Sequence, residues 1–145
     1  MNLYFFFLYM FVGAVVVTDK VFELVAYCKR MRVRVRNQRY IKIPSKICDA
    51  LHIPSIVTHV VYRFDVNRLV AIPVSFAYYG TLKYSPVPPK TYKVSAMGRG
   101  VRREYVLYIP KQYDVFGDEV EVCLAFACSY IELIKCYPYI IIKKL

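Results

Sequence analysis

Residues 31–53 read MRVRVRNQRYIKIPSKICDALHI, and this stretch decides the fold. Val33 and Val35 alternate with arginines, which is the period of a strand with one apolar and one basic face. Asn37 favours a turn, and the alternation of polar and apolar residues resumes at Tyr40. The pattern therefore predicts a β-hairpin with a row of guanidinium groups on one face.

A short helix is predicted directly after this hairpin. Pro44 cannot donate a ladder hydrogen bond, so it ends the second strand, and its fixed φ suits a helix start. Ser45 beside it is a weaker cap. Ile47 and Leu51 lie four residues apart and fall on one face of the helix.

The order strand, basic loop, strand, proline and helix resembles the AbrB-like, or SpoVT-AbrB, domain of swapped-hairpin DNA-binding proteins. That family has apolar residues three, seven and nine positions after the proline, and here these are Ile47, Leu51 and Ile53. The chain departs from the family at two usual glycines, where it has Arg39 and His52. The resemblance implies a swapped-hairpin β-barrel that binds duplex DNA.

A second strand pair is predicted at residues 57–64 and 69–76, with Asp65 and Asn67 supplying the turn between them. Strand, strand, helix, strand, strand is the element order of the resembled domain. Residues 77–89 are rich in Pro and Tyr and are interpreted as a connector.

The remainder of the chain is interpreted as a second, degenerate copy. Residues 90–110 again give a strand, a basic loop with glycine, an alternating strand and a proline. Counted back from the proline of each copy, Arg102 falls where Arg36 does. Gly117-Asp118 restores a family signature that the first copy lacks. Since a domain of about 45 residues buries too little surface alone, two copies are expected to close one core as an intrachain pseudo-dimer.

The expected fold is therefore mainly β with one short helix, a swapped-hairpin AbrB-like β-barrel made of two ββαββ-like repeats. The tail is interpreted as a last edge strand, because lysine discourages edge pairing. The predicted division is an apolar N-terminal segment at 1–30, a first repeat at 31–76, the connector at 77–89, a second repeat at 90–137 and a tail at 138–145.

Residues 1–17 carry no charge and leave three interpretations open. The run is shorter than the roughly 20 residues that cross a bilayer, and it lacks the basic n-region of a signal peptide. It is a short membrane anchor with the basic segment on the cytoplasmic side, a buried strand or helix, or an extension outside the natural product, since Met31 opens the recognisable domain.

The formal net charge of the 145-residue chain is +11, and residues 31–89 carry nine basic and two acidic side chains. Because this charge is clustered on alternating strand positions, it favours nucleic acid as partner over an anionic membrane surface. A role in solubility alone is the remaining interpretation, since 58% of the residues are hydrophobic.

The side chains give little support for catalysis or metal binding. The five cysteines include no Cys-x-x-Cys pair, and their odd number favours buried thiols in a reducing compartment over a disulfide framework. His52 and His59 lack ligand spacing with a cysteine on a turn. The sequence has no phosphate loop and no nucleophile elbow. We expect no enzyme, no cofactor and no metal.

The expected function is DNA binding by a transcriptional regulator in the cytoplasm, associated with the nucleoid. The candidate nucleic-acid-binding residues are Arg32, Arg34, Arg36, Arg39 and Lys42 in the first hairpin and Arg99, Arg102 and Arg103 in the second. The partner is duplex DNA, and a homo-oligomer stays open. One alternative is a small β protein anchored in a membrane through residues 1–17, with its basic segment on anionic lipid. Another is an antitoxin-like protein with a protein partner.

Overall fold

The computed structural model describes residues 21–65, 67–74, 90–113, 117–129 and 135–145. Within these residues the chain is mainly β, with one short α-helix and a nine-stranded antiparallel sheet, which confirms the predicted fold class. The elements are β1 (Val21–Val35), β2 (Arg39–Lys42), α1 (Ser45–Leu51), β3 (His59–Asp65), β4 (Arg68–Pro73), β5 (Thr91–Lys93), β6 (Ser95–Met97), β7 (Glu104–Tyr108), β8 (Glu119–Ser129) and β9 (Lys135–Lys144). Single 3₁₀ turns lie at Gly100–Arg102 and Lys111–Tyr113.

The sheet curls into a nearly closed barrel. Its strand order is β5-β3-β4-β9-β8-β1-β2-β7-β6. The two edge strands, β5 and β6, are consecutive in the chain and are separated only by Val94. Because one residue carries the chain from one edge of the sheet to the other, the two edges lie next to each other and the sheet is nearly closed on itself.

The barrel interior is apolar and is completed by α1. Ile47 and Leu51 on the helix are fully buried, as their four-residue spacing predicted. Ile41 of β2 and Leu107 of β7 each have only 1% of their surface exposed. The alternation of the first hairpin thus places its isoleucines inside, and Arg32, Arg34 and Lys42 on the outer face of the barrel.

The strand order is symmetric about two residue pairs. Ile41 is directly opposite Leu107, and Val70 of β4 is directly opposite Ile141 of β9. On either side of the first pair, β2 is followed by β1 and β7 by β6; on either side of the second pair, β4 is followed by β3 and β5, and β9 by β8 and β1. Corresponding strands of the two halves therefore follow in the same order. The first strand of each half pairs with the third strand of the other half, β1 with β8 and β5 with β3. The barrel therefore has an approximate two-fold axis through these two pairs.

Backbone hydrogen bonds outside the strand ladders follow the same symmetry. In the first matched pair, the N–H of Val33 donates to the carbonyl of Asp118 (2.7 Å) and the N–H of Val94 donates to the carbonyl of Thr58 (2.8 Å). In the second pair, the N–H of Ile43 donates to the carbonyl of Tyr105 (2.8 Å) and the N–H of Ile109 donates to the carbonyl of Arg39 (3.0 Å). Within each pair, the two donors correspond in strand register, and so do the two acceptors. The two halves are interdigitated, and each supplies part of the other's sheet.

Residues 21–30 belong to the first strand, because β1 begins at Val21. The predicted edge strand in the tail is wrong, because β9 lies between β4 and β8. The three isoleucines at 140–142 are all fully buried, as in a strand covered on both faces.

Two disulfides replace the predicted free thiols. Cys28–Cys123 joins β1 to β8, and Cys128–Cys136 joins β8 to β9, each between residues directly opposite in register. The fifth cysteine, Cys48, remains a buried thiol. Burial raises the pKa of this thiol to about 11. The inference of a reducing compartment therefore loses its basis.

The described residues contain no helix that is long and apolar enough to cross a membrane. The candidate anchor at residues 1–17 and the connector at 77–89 lie outside the described residues.

Candidate nucleic-acid interface

Two basic hairpins lie side by side on the outer face of the barrel. The β1–β2 hairpin and the β6–β7 hairpin are joined through the pairing of β2 with β7. Tyr40 and Tyr108 meet across this junction with their ring centroids 5.5 Å apart. We call the outer surface of these four strands the hairpin face.

The tips of the two hairpins lie at opposite ends of the hairpin face. The first tip comprises residues 36–38 and the second comprises residues 98–103. Because β2 and β7 are antiparallel and related by the approximate two-fold axis, the two tips point in opposite directions along these strands. At about 3.3 Å per residue, the tips are on the order of 25 Å apart. One turn of duplex DNA is about 34 Å long, so one duplex can pass both tips within a turn.

Arg34 and Arg36 lie at and beside the first tip. Arg32 is directly opposite Glu119 of β8, so its charge has a carboxylate on the neighbouring strand. Arg34 lies beyond the end of β8, and Arg36 lies in the turn itself. Both side chains are exposed, and between them Val35 is also 69% exposed. Arg34 and Arg36 therefore dominate the positive charge of this tip.

Arg39 is held by a contact within the protein. Its Nη2 donates a hydrogen bond of 2.9 Å to the carbonyl of Gly117, in the segment that precedes β8. The side chain is half-buried. Among the predicted binding residues, Arg39 thus has a positioning role between the two halves of the barrel.

Lys42 has an acidic neighbour on the hairpin face. Its Nζ lies 2.9 Å from Oε1 of Glu104, and both side chains are about two-fifths exposed (40% and 42%). The hydrogen bond from Lys42 lowers the pKa of Glu104, and the charge of Arg34 acts in the same direction. The carboxylate of Glu104 therefore reduces the positive charge at the centre of the face.

The second tip is a longer loop than the first. Arg99 and Arg103 are exposed, and Val101 is fully exposed at 104%. Gly98 and Gly100 have φ values of 86° and 59°, a conformation that glycine adopts without strain.

The register corrects one correspondence drawn from the sequence. Arg102 lies within the 3₁₀ turn of the second tip. Because the second hairpin is longer, Arg36 corresponds in register to Met97 and not to Arg102. Counting from the prolines failed because the two tips differ in length.

Lys90 and Lys111, which were not predicted as binding residues, line a groove beside the first tip. No local pattern indicates this position, because only the fold brings the start of β5 and the 3₁₀ turn at Lys111–Tyr113 beside residues 37–39.

A cluster with metal-ligand chemistry lies on β1 and β8. Ligand atoms of Cys28, Glu121 and Cys123 are all within 4.8 Å of one another. Cys28 and Cys123 are joined by a disulfide, so their sulfur atoms are not thiolates in this structure.

Comparisons of the chain with protein-family models, with curated proteins and with solved structures find no match.

Proposed function

We propose that this protein binds duplex DNA through the hairpin face and acts as a transcriptional regulator of the AbrB-like type. One observation carries the proposal. The pairing of β2 with β7 places two arginine-bearing tips, from distant parts of the chain, on one face around an approximate two-fold axis.

The two tips supply the charge for phosphate contacts. Arg34 and Arg36 act at one end of the face, and Arg99 and Arg103 act at the other. Most such contacts position the protein on the duplex, and one or two arginines read guanine edges in the major groove. Arg102, which lies in the second tip, belongs to the same proposed set.

The target is expected to be asymmetric. The approximate axis relates Arg34 to Ser95 and Arg36 to Met97, so the two ends of the hairpin face differ in chemistry. A symmetric palindrome would present identical half-sites to two unlike tips. We therefore propose recognition of an asymmetric site of about one helical turn.

The test is a fluorescence-anisotropy titration of the full chain with duplex DNA at several salt concentrations. If about five phosphates are neutralised, the slope of log K against log salt is roughly −4 to −5. The double variant R34E/R36E is expected to weaken binding at least tenfold and to make this slope shallower by about 2.

The matched control is K46E/K144E, which makes the same change in net charge at exposed positions on α1 and β9. It is expected to retain most of the affinity. Equal loss in both double variants would mean that only net charge matters, and unchanged binding by R34E/R36E would refute the hairpin face as the interface.

A further inference from the structure

The groove beside the first tip has the chemistry of a small-molecule site, and we propose that it binds a nucleoside phosphate. The groove lies between the tip residues 37–39, the first residues before and in β5, and the end of β7. Its volume is about 370 Å³, within the range of ligand pockets. The proposal goes beyond DNA binding and does not rest on it, because neither Arg34 nor Arg36 is among the lining residues.

The charge of the groove is positive. Arg39, Lys90 and Lys111 line it, and none of its lining residues in the described part of the chain is acidic. Arg39 already donates to a backbone carbonyl, whereas Lys90 and Lys111 are exposed. These two lysines are therefore the cations that face a phosphate group.

An apolar wall adjoins these cations. Tyr92, Tyr108 and Pro110 line the groove, and Val35 stands at its rim with 69% of its surface exposed. The Nζ of Lys90 lies over the ring of Tyr92, 5.2 Å from its centroid, and Tyr62 packs against the same ring with 5.1 Å between the centroids. Tyr108 and Pro110 therefore offer the surface on which a planar base stacks, and Lys90 supplies the neighbouring charge that suits the attached phosphate.

Three amide side chains complete the lining. Asn37, Gln38 and Gln112 each present both hydrogen-bond donors and acceptors. Such groups pair with the polar edge of a nucleobase, which alternates donors and acceptors. An inorganic anion would need only the lysines, so the amides and the apolar wall favour a ligand with a base attached to its phosphate.

The approximate two-fold axis provides a matched control surface. Lys29 corresponds in register to Lys90, and Lys46 on α1 lies with its Nζ 5.1 Å from the ring centroid of Tyr27. A lysine over a tyrosine thus occurs on this surface too, although the axis relates Tyr92 to Met31 and not to Tyr27. The variant K29Q/K46Q removes the same charge and one such pair, but leaves the groove intact.

The experiment is isothermal titration calorimetry of the full chain at low salt with ADP, adenosine and inorganic pyrophosphate. We expect saturable binding of ADP, at least tenfold tighter than binding of adenosine or pyrophosphate. K90Q/K111Q is expected to weaken ADP binding about tenfold or more, and Q112A to weaken ADP without changing pyrophosphate binding. K29Q/K46Q is expected to bind ADP as the unchanged protein does.

Three results would overturn the inference: no saturable binding of ADP, pyrophosphate binding as tightly as ADP, or equal losses in the two lysine double variants. Competition distinguishes the source of the nucleotide. Displacement of ADP by AMP more readily than by a 5′-phosphorylated hexanucleotide supports a free nucleotide, and the reverse supports the end of a nucleic-acid strand. The DNA titration of R34E/R36E reports on the hairpin face separately, so each proposal fails on its own measurement.

Discussion

Lys42 and Glu104 form an ion pair across β2 and β7, with 2.9 Å between Nζ and Oε1. The pair lies on the hairpin face close to the approximate two-fold axis, and Arg34 also acts on the same carboxylate. An acidic side chain at the centre of a basic surface opposes a polyanion directly, because like charges repel. We therefore expect Glu104 to lower the affinity of this face for DNA.

Replacing Glu104 by Gln is expected to tighten DNA binding. The change frees Lys42 to contact a phosphate and makes the log–log salt slope steeper by about 1. Affinity at low salt should rise severalfold, as measured by anisotropy with the same duplex. Glu119→Gln is a useful comparison, because that carboxylate faces Arg32 at the margin of the face. Weaker binding by E104Q would contradict the proposed orientation of the face.

The local elements of this fold could be predicted because each is determined by neighbouring residues. The alternation in β1 and β2, the position of Pro44, and the spacing of Ile47 and Leu51 together gave a hairpin and a helix that the structure contains. The position of β9 could not be predicted in this way. A run of isoleucines fits an edge or a central strand, and only its pairing with both β4 and β8 decides between them.

Long-range register also explains what the sequence left out of the candidate sites. The exposed positions of Arg34 and Arg36 follow from the alternation of one strand. Glu104, in contrast, reaches Lys42 from a strand more than sixty residues away. The pairing of Cys28 with Cys123 likewise requires the alignment of β1 with β8, which no local pattern encodes.

Glu23 is expected to be a main contributor to pH-dependent stability. Its carboxylate receives two hydrogen bonds from Arg68, at 2.7 and 2.6 Å, and a third of 2.7 Å from the hydroxyl of Tyr139. Burial raises the pKa of Glu23, but these hydrogen bonds and the charge of Arg68 outweigh it, so that the pKa lies below the ordinary value of 4.5. Its contribution is therefore complete above the unfolded-state pKa and is lost as the pH falls through the folded-state pKa.

Glu23→Gln should lower the free energy of unfolding by about 2 kcal/mol at pH 7, because the mostly buried guanidinium of Arg68 loses a charged carboxylate that accepts two of its hydrogen bonds. Urea denaturation at pH 7, 5 and 3 would show the deficit shrinking as the pH falls below about 4. E104Q serves as the exposed control and should leave the urea midpoint unchanged. A deficit for E23Q that is constant across this pH range would contradict the assignment.

The two disulfides are expected to differ in their effect on stability. Cys28 and Cys123 are 95 residues apart, whereas Cys128 and Cys136 are only 8 apart. In the chain-entropy model these loops correspond to about 4 to 5 and about 2 to 3 kcal/mol. Urea denaturation of C28S/C123S and C128S/C136S tests this order. Equal stability of the unchanged protein with and without reductant would contradict both bridges.

His52 is expected to be a site where glycine stabilises the protein. It ends α1 in the left-handed conformation, with φ 54° and ψ 52°, and its backbone N–H donates to the carbonyl of Asp49. A residue with a side chain is strained there by about 1 to 2 kcal/mol, and the extra freedom of glycine in the unfolded chain offsets part of that gain. The imidazole is exposed, and the contacts of Ser55 and Ile56 go to the backbone carbonyl, which glycine retains.

His52→Gly should therefore raise the free energy of unfolding by about 0.5 to 1 kcal/mol. His52→Ala is the matched control, because alanine removes the imidazole but keeps the steric conflict of a Cβ in this conformation. Urea denaturation should show H52G with a higher midpoint and an unchanged slope, and H52A with a midpoint no higher than that of the unchanged protein. If both variants gained equally, the gain would come from loss of the imidazole and the left-handed cap would not be its cause.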